Sequence, residues 1–247
     1  MASKAIAIIA GVGAGTGAAV ARKFAASYPV VLIARNPDNY ESLAREINSN
    51  GGKALGISAD VANAKSIKAA TEAIKKEFGD DVTAAAAIFN ASGSFVRKPF
   101  LELTEDEFMA GLEVSGRGAF NFSSAFLPLL LKTVHSNPKY PPALIFTGAT
   151  ASVKANAMMS SFATGKFALR ALSSSLAKEF GPQGVHVSHA IIDGVIDIPR
   201  TKDWMKDAPP DAKISADAIA DSYWYLHTQP RSAWIWEVDI RPYVEKW

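Results

Sequence analysis

The sequence predicts a doubly wound α/β fold, one seven-stranded, mainly parallel sheet with helices on both faces. Three observations carry that expectation. Short apolar runs alternate with longer stretches of helical periodicity along all 247 residues, the order expected of βαβ units. Several short runs are apolar at consecutive positions, as strands covered on both faces must be. A glycine-rich segment follows the first run directly and opens the first helical stretch.

Taken in order, the strand candidates are Ala5–Ala10, Val30–Ala34, 53–58, 82–90, Ala143–Thr147, 185–192 and 233–240. Between them, 15–27, 39–49, Ala64–Phe78, 104–134, Ser160–Phe180 and 215–227 carry helix-like spacing. Thr104 and Glu107 stand at capping-box spacing, and Gly79 and Gly181 follow helical runs as C′ residues would. Segment 198–213, with its Pro and Asp residues, is the one long irregular stretch and reads as a substrate-side lid. Residues 1–247 read as a single domain.

Composition narrows the function. About half the chain is apolar (49%), enough for one large core. The formal charge is +2, without a basic block to suggest a nucleic-acid groove. There are no cysteines, which excludes disulfides, thiol nucleophiles and Cys-ligated metals. No apolar run approaches the roughly 18 residues of a membrane span, and the N-terminus lacks the form of a signal peptide. The expected location is cytoplasmic. His186 and His189, three apart in a strand, point to opposite faces, so no metal site is expected.

The loop Gly11-Val-Gly13-Ala-Gly15-Thr16-Gly17 sits between strand and helix. Glycine suits a sharp turn, a close backbone approach to a pyrophosphate and tight helix–strand packing. The helix N-terminus adds free N–H groups and a positive dipole end. A Rossmann-type nucleotide site is the expectation. The second strand ends in Ala34-Arg35, where a carboxylate would mark NAD. A cation there can pair with a 2′-phosphate instead, so NADP(H) is the expected cofactor. Arg35 also reads as an ordinary solvated loop charge.

The spacing Gly11-x-x-x-Gly15-x-Gly17 resembles the loop of the short-chain dehydrogenase/reductase family. Asp60-Val61 after the third strand resembles its adenine-contacting Asp-Val, and Asn90-Ala91-Ser92-Gly93 its Asn-Asn-Ala-Gly. By residue type alone, Asp60 reads as a helix N-cap and Asn90 as a strand-end turn residue. Lys166 stands at the Lys of Tyr-x-x-x-Lys, but the Tyr position is Phe162, and the Ser thirteen residues before it is Ala149. The supporting helix Asn is Ser115. Asp193-Gly194 replaces the family's Pro-Gly after the sixth strand, with Ile196 among the residues expected beside the cofactor.

The resemblance implies hydride transfer beside Lys166, which contacts the nicotinamide ribose, on a small-molecule substrate. It also implies a homodimer or homotetramer. It does not supply the proton donor, because phenylalanine has no exchangeable proton. Three readings stay open. The substrate needs little proton from the protein, as an iminium or activated double bond would. Another group donates: Asp193, if desolvated, or a hydroxyl among Thr147, Thr150, Ser152, Ser160 and Ser161. Or the fold is a non-catalytic nucleotide-binding or scaffold protein. Lys166 and Asp193 are thus the catalytic candidates, though each also reads as an ordinary helix or turn residue. Trp204 and Met205 read either as substrate contacts or as lid anchors. Trp234 and Trp236, alternating on the last strand, read as core or subunit contacts.

Overall fold

The first apolar run becomes a central strand because both of its faces are covered. β1 (Ala5–Ala10) sends Ile6, Ile8 and Ala10 into one core and Ala7 and Ile9 into another, on opposite sides of the sheet. In the computed structural model, which describes residues 5–246, there follow α1 (Thr16–Ala25), β2 (Val30–Ala34), α2 (Glu41–Ser49), β3 (Ala54–Ser58), α3 (Ala64–Phe78) and β4 (Thr83–Phe89). The chain continues through α4 (Glu105–Leu112), α5 (Ala119–Val134), β5 (Ala143–Thr147), α6 (Ser160–Phe180) and β6 (His186–Ile192). It ends with β7 (Ile196–Asp197), β8 (Ile214–Ser215), α7 (Ala216–Thr228) and β9 (Glu237–Ile240).

Seven strands form one sheet in the order β3-β2-β1-β4-β5-β6-β9, every neighbouring pair parallel. Ile67 and Ile74 of α3, Phe122 and Leu130 of α5 and Leu169 of α6 fill one core. Val20 and Phe24 of α1, Leu43 and Ile47 of α2 and Tyr223 of α7 fill the other. The strand order reverses direction at β1 and β4, so their C-terminal ends open the crevice where such sheets bind ligands. Among the described residues no helix is long and apolar enough to cross a membrane.

Several elements differ from the sequence reading by one or two residues at their ends, and others differ in kind. Thr104 and Glu107 form the expected capping box, but 104–134 is not one regular helix. A π-helical stretch, Glu113–Gly118, separates α4 from α5. Such a stretch widens the turn without ending the helix, so apolar spacing runs on through it. Gly181 stays right-handed, and the positive φ after α6 falls on Gly184 (+92°). Only Glu237–Ile240 of the expected last strand pairs with β6. Trp234 and Trp236 precede that strand, Trp234 stacked on His186 and Trp236 against the Arg170 guanidinium. The stretch 198–213 is clasped at its base by the short pair β7–β8, with Ile196 opposite Ile214. Two-residue strands carry no readable periodicity.

His186 and His189 leave β6 on opposite faces, as their spacing requires. His186 lies between the carbonyls of Leu226 and Ile235, and His189 reaches Glu237 at 3.0 Å. Desolvation dominates at His189 and also at His227, and lowers each to about 4. The unfolded chain therefore takes up protons first as pH falls below about 6.5. Stability attributable to each is expected to fall between about pH 6.5 and 4, by on the order of 3 kcal/mol. Urea midpoints measured across that range should drop, and His227→Phe should flatten the slope; an unchanged slope in that variant would remove His227 from the account.

Candidate cofactor and active site

The glycine loop is built by close approaches that admit no side chain. Gly11 has φ +87°, and a Cβ there would lie 2.4 Å from Ala91 N; one on Gly17 would lie 2.5 Å from Gly11 O. Asn90 Nδ2 donates to Gly11 O at 2.9 Å, tying the end of β4 to the loop. Gly13 has open space where its Cβ would be. Gly15 is the N-cap of α1, which has no side-chain cap, and Ile198 lies against it. Thr16 is buried, and its hydroxyl has no partner among the described residues. An uncapped N-terminus beside an open glycine suits the phosphates of a dinucleotide.

Around this loop the remaining candidates fall in place with different roles. Arg35 follows the last residue of β2 and is exposed, with no ion pair among the described residues. Asp60 Oδ1 accepts from Ala62 N at 3.0 Å, while the N-cap of α3 is Asn63. Asp60 borders a concavity of about 560 Å³ shared with Asn63, Arg117 and Asn121. Val61 is buried against Gly118, and its carbonyl accepts from Asn121 Nδ2 at 2.9 Å. Gly93 packs on the Ala110 carbonyl of α4 rather than facing the loop. Ile196 sits half-buried in β7.

Glycines also position the second half of the site. Gly111 of α4 and Gly165 of α6 bring the two helix backbones together, and a Cβ on either would lie 2.5–2.6 Å from a carbonyl oxygen of the other helix. That contact sets the start of α6, and with it Phe162 and Lys166, one helical turn apart. Lys166 is only 3% exposed; its amine donates to Thr147 O at 3.0 Å and lies 5.7 Å from the Phe162 ring centre. Burial pulls the amine down to about 8. Phe95 meets Phe162 edge-on at 5.3 Å.

Most of the candidate hydroxyls are committed elsewhere. Thr147 pairs with Tyr223 OH at 2.8 Å, Ser152 Oγ accepts from Ala149 N, and Ser161 donates to Glu107 O at 2.7 Å. Ser160 Oγ is buried without a partner. Thr150 Oγ1 donates to Asp193 Oδ1 at 2.5 Å, and Arg241 pairs with the other Asp193 oxygen at 3.3 Å. Both contacts use Asp193 as an acceptor. Nothing in the sequence pattern marks Arg241, which comes from the tail beyond β9. Nor does it mark Glu237, which binds Arg170 through both oxygens and also His189.

Comparison with known proteins fits this geometry. The profile of the short chain dehydrogenase family matches residues 5–209. The chain belongs to the short-chain dehydrogenases. An uncharacterized oxidoreductase of Staphylococcus epidermidis is 28% identical over 239 residues, 96% of each chain. The short-chain reductase protein NovJ of Streptomyces niveus is 30% identical across 78% of this chain and 70% of its own. Among solved structures, a short-chain dehydrogenase from Rhodopseudomonas palustris superposes with a TM-score of 0.78 at 32% identity, covering 98% of this chain and 100% of that one. A metagenomic short-chain oxidoreductase in complex with NADP has the same fold, with a TM-score of 0.79 at 24% identity and coverage of 98% and 99%. Within this short-chain dehydrogenase, the glycine loop and Asp193 follow the C-terminal ends of β1 and β6, and Lys166 of α6 reaches Thr147 O at the end of β5.

Proposed function

We propose that this short-chain dehydrogenase is an NADP(H)-dependent oxidoreductase with an atypical active site, acting on a small organic substrate. One observation carries the cofactor reading: Arg35, exposed and without an ion pair among the described residues, follows β2 beside a glycine loop whose helix N-terminus has no side-chain cap. Gly11, Gly13, Gly15, Thr16 and Gly17 would hold the pyrophosphate, Arg35 a 2′-phosphate, and Asp60 and Val61 the adenine. Asn90, Ala91, Gly93, Lys166 and Ile196 would border the nicotinamide half. When bound, NADPH supplies a hydride.

The protein's own part is to orient and to manage a proton without Tyr or Ser. Asp193 is assigned a positioning role: it holds Thr150 and Arg241 rather than acting as the acid. Segment 198–213 covers the loop through Ile198 and forms the substrate-side lid, with Trp204 and Met205 exposed on it. Residues 1–247 act as one domain. Exposed Phe120 on α5 and Phe167 on α6 supply apolar surface for a homodimer or homotetramer.

Binding without turnover is the alternative, favoured by Phe162 and Ala149. The buried Lys166 amine weighs against it, because desolvating a cation without use is costly. The deciding experiment is a fluorescence titration with NADPH and NADH. Micromolar NADPH affinity with NADH at least tenfold weaker is expected. Binding of neither would sink the oxidoreductase reading while leaving the fold intact.

A further inference from the structure

With Phe162 in the tyrosine position, a polar group still follows it along the same helix face. Lys166 lies one turn further on α6, its amine 5.7 Å from the Phe162 ring centre. The residue is almost wholly buried, and the amine spends one of its three N–H bonds, on Thr147 O. Two donors remain, one for the nicotinamide ribose and one for the substrate, and among the described residues no carboxylate pairs with the amine. The groups on the surrounding elements are otherwise engaged. Glu237 on β9 is taken by Arg170 of α6 and by His189 of β6, Asp193 after β6 by Thr150 and Arg241, and Tyr223 of α7 by Thr147 Oγ1.

We propose that the Lys166 ammonium is itself the proton donor, acting directly on the oxygen of a neutral carbonyl or conjugated-carbonyl substrate. This rests on the oxidoreductase reading above and deepens it. In the balanced step, one hydride from the reduced nicotinamide dinucleotide and one proton from Lys166 turn C=O into CH–OH. Oxidised dinucleotide and a neutral amine remain, and the amine recovers its proton from solvent. For a conjugated carbonyl the hydride adds at the β-carbon, and the proton goes to the resulting enolate oxygen; return of the enol to the ketone completes saturation.

The same charge selects the substrate class. A buried cation favours an oxygen that gains negative charge and repels a substrate that is already positive. Of the classes left open by the sequence, the carbonyl is therefore favoured over the iminium. Burial also tunes the donor. An amine lowered to about 8 is mostly protonated at neutral pH and gives up its proton far more readily than an ordinary lysine.

The test combines NMR with kinetics. Lysine labelled with ¹³C at Cε is titrated in the cofactor-free protein, the Lys166 signal being identified by its absence in Lys166→Arg. One lysine titrating near pH 8 is expected; a Lys166 signal titrating above pH 10 would overturn the proposal. For NADPH-dependent reduction of phenanthrenequinone or cinnamaldehyde, kcat/KM should fall about tenfold per pH unit above that value. Lys166→Arg keeps the positive charge but holds its proton. At saturating NADPH it should lose about 100-fold in kcat and lose the alkaline limb. Persistence of that limb in Lys166→Arg would assign the proton to another group. Faster turnover of a cyclic iminium such as 3,4-dihydroisoquinolinium than of either carbonyl would also overturn the proposal. Wild-type protein that fails to bind NADPH would instead sink the oxidoreductase reading, whatever the lysine titration shows.

Discussion

Phe162→Tyr combined with Ala149→Ser is expected to raise NADPH-dependent reduction of simple ketones by about 10²-fold or more. A positioned general acid contributes about 10²–10⁴ in rate, and a hydrogen-bond donor to the developing oxyanion contributes about 10²–10³ where one has been removed. The new hydroxyls would enter an arrangement that is otherwise present. Lys166 lies close enough to the 162 ring to depress the pKa of a phenol there. Ala149 precedes the short turn Thr150–Ser152 in an extended conformation that serine adopts without strain. Steady-state kinetics on the single and double variants, with NADPH affinity measured alongside, checks the expectation. A flat result with cofactor still bound would mean that the pocket differs beyond these two positions. The places to look are the edge-on Phe95–Phe162 contact and the Thr150–Asp193 bond.

Arg35→Asp should reverse the cofactor preference. A hydrogen bond to a charged partner contributes about 1.5–3 kcal/mol, or roughly 10- to 100-fold in affinity. The aspartate adds repulsion toward a 2′-phosphate while offering an acceptor to a ribose 2′-hydroxyl. NADPH binding is therefore expected to weaken by about 100-fold and NADH binding to improve. Arg35 is exposed and makes no ion pair among the described residues, so folding stability should change by no more than about 0.5 kcal/mol. Titration of both cofactors against both proteins measures the change directly. An unaltered NADPH affinity would reduce Arg35 to a solvated loop charge.

The two halves of the site differ in how far the sequence exposes them. The cofactor half is local: Gly11 to Gly17 are consecutive, and Arg35, Asp60 and Asn90 each follow a strand end. Their positions follow from chain geometry that repeats in every βαβ unit, while the roles proposed for Asp60 and Asn90 come from the family resemblance. Lys166 is legible only through the family resemblance, which sets it four residues after Phe162 on one helix. Its burial, which makes it chemically interesting, is not. A lysine on a helix reads as solvated until α6 is known to set its amine against Thr147 O at the end of β5.

Asp193 shows the opposite case. Its residue type and place after β6 leave an acid and a turn residue both open, and only the fold brings to it Thr150, 43 residues away in the chain, and Arg241. The same holds for Glu237, whose partners Arg170 and His189 lie 67 and 48 residues away. The sheet, its helices and the place of the nucleotide loop were determined by the sequence itself, because periodicity, glycine spacing and strand ends act over a few residues. Which polar groups are paired, and which buried cation is left with donors to spare, was decided only by the tertiary structure. Those facts depend on β6 lying between β5 and β9, and strand order in a sheet brings together groups that no local pattern relates.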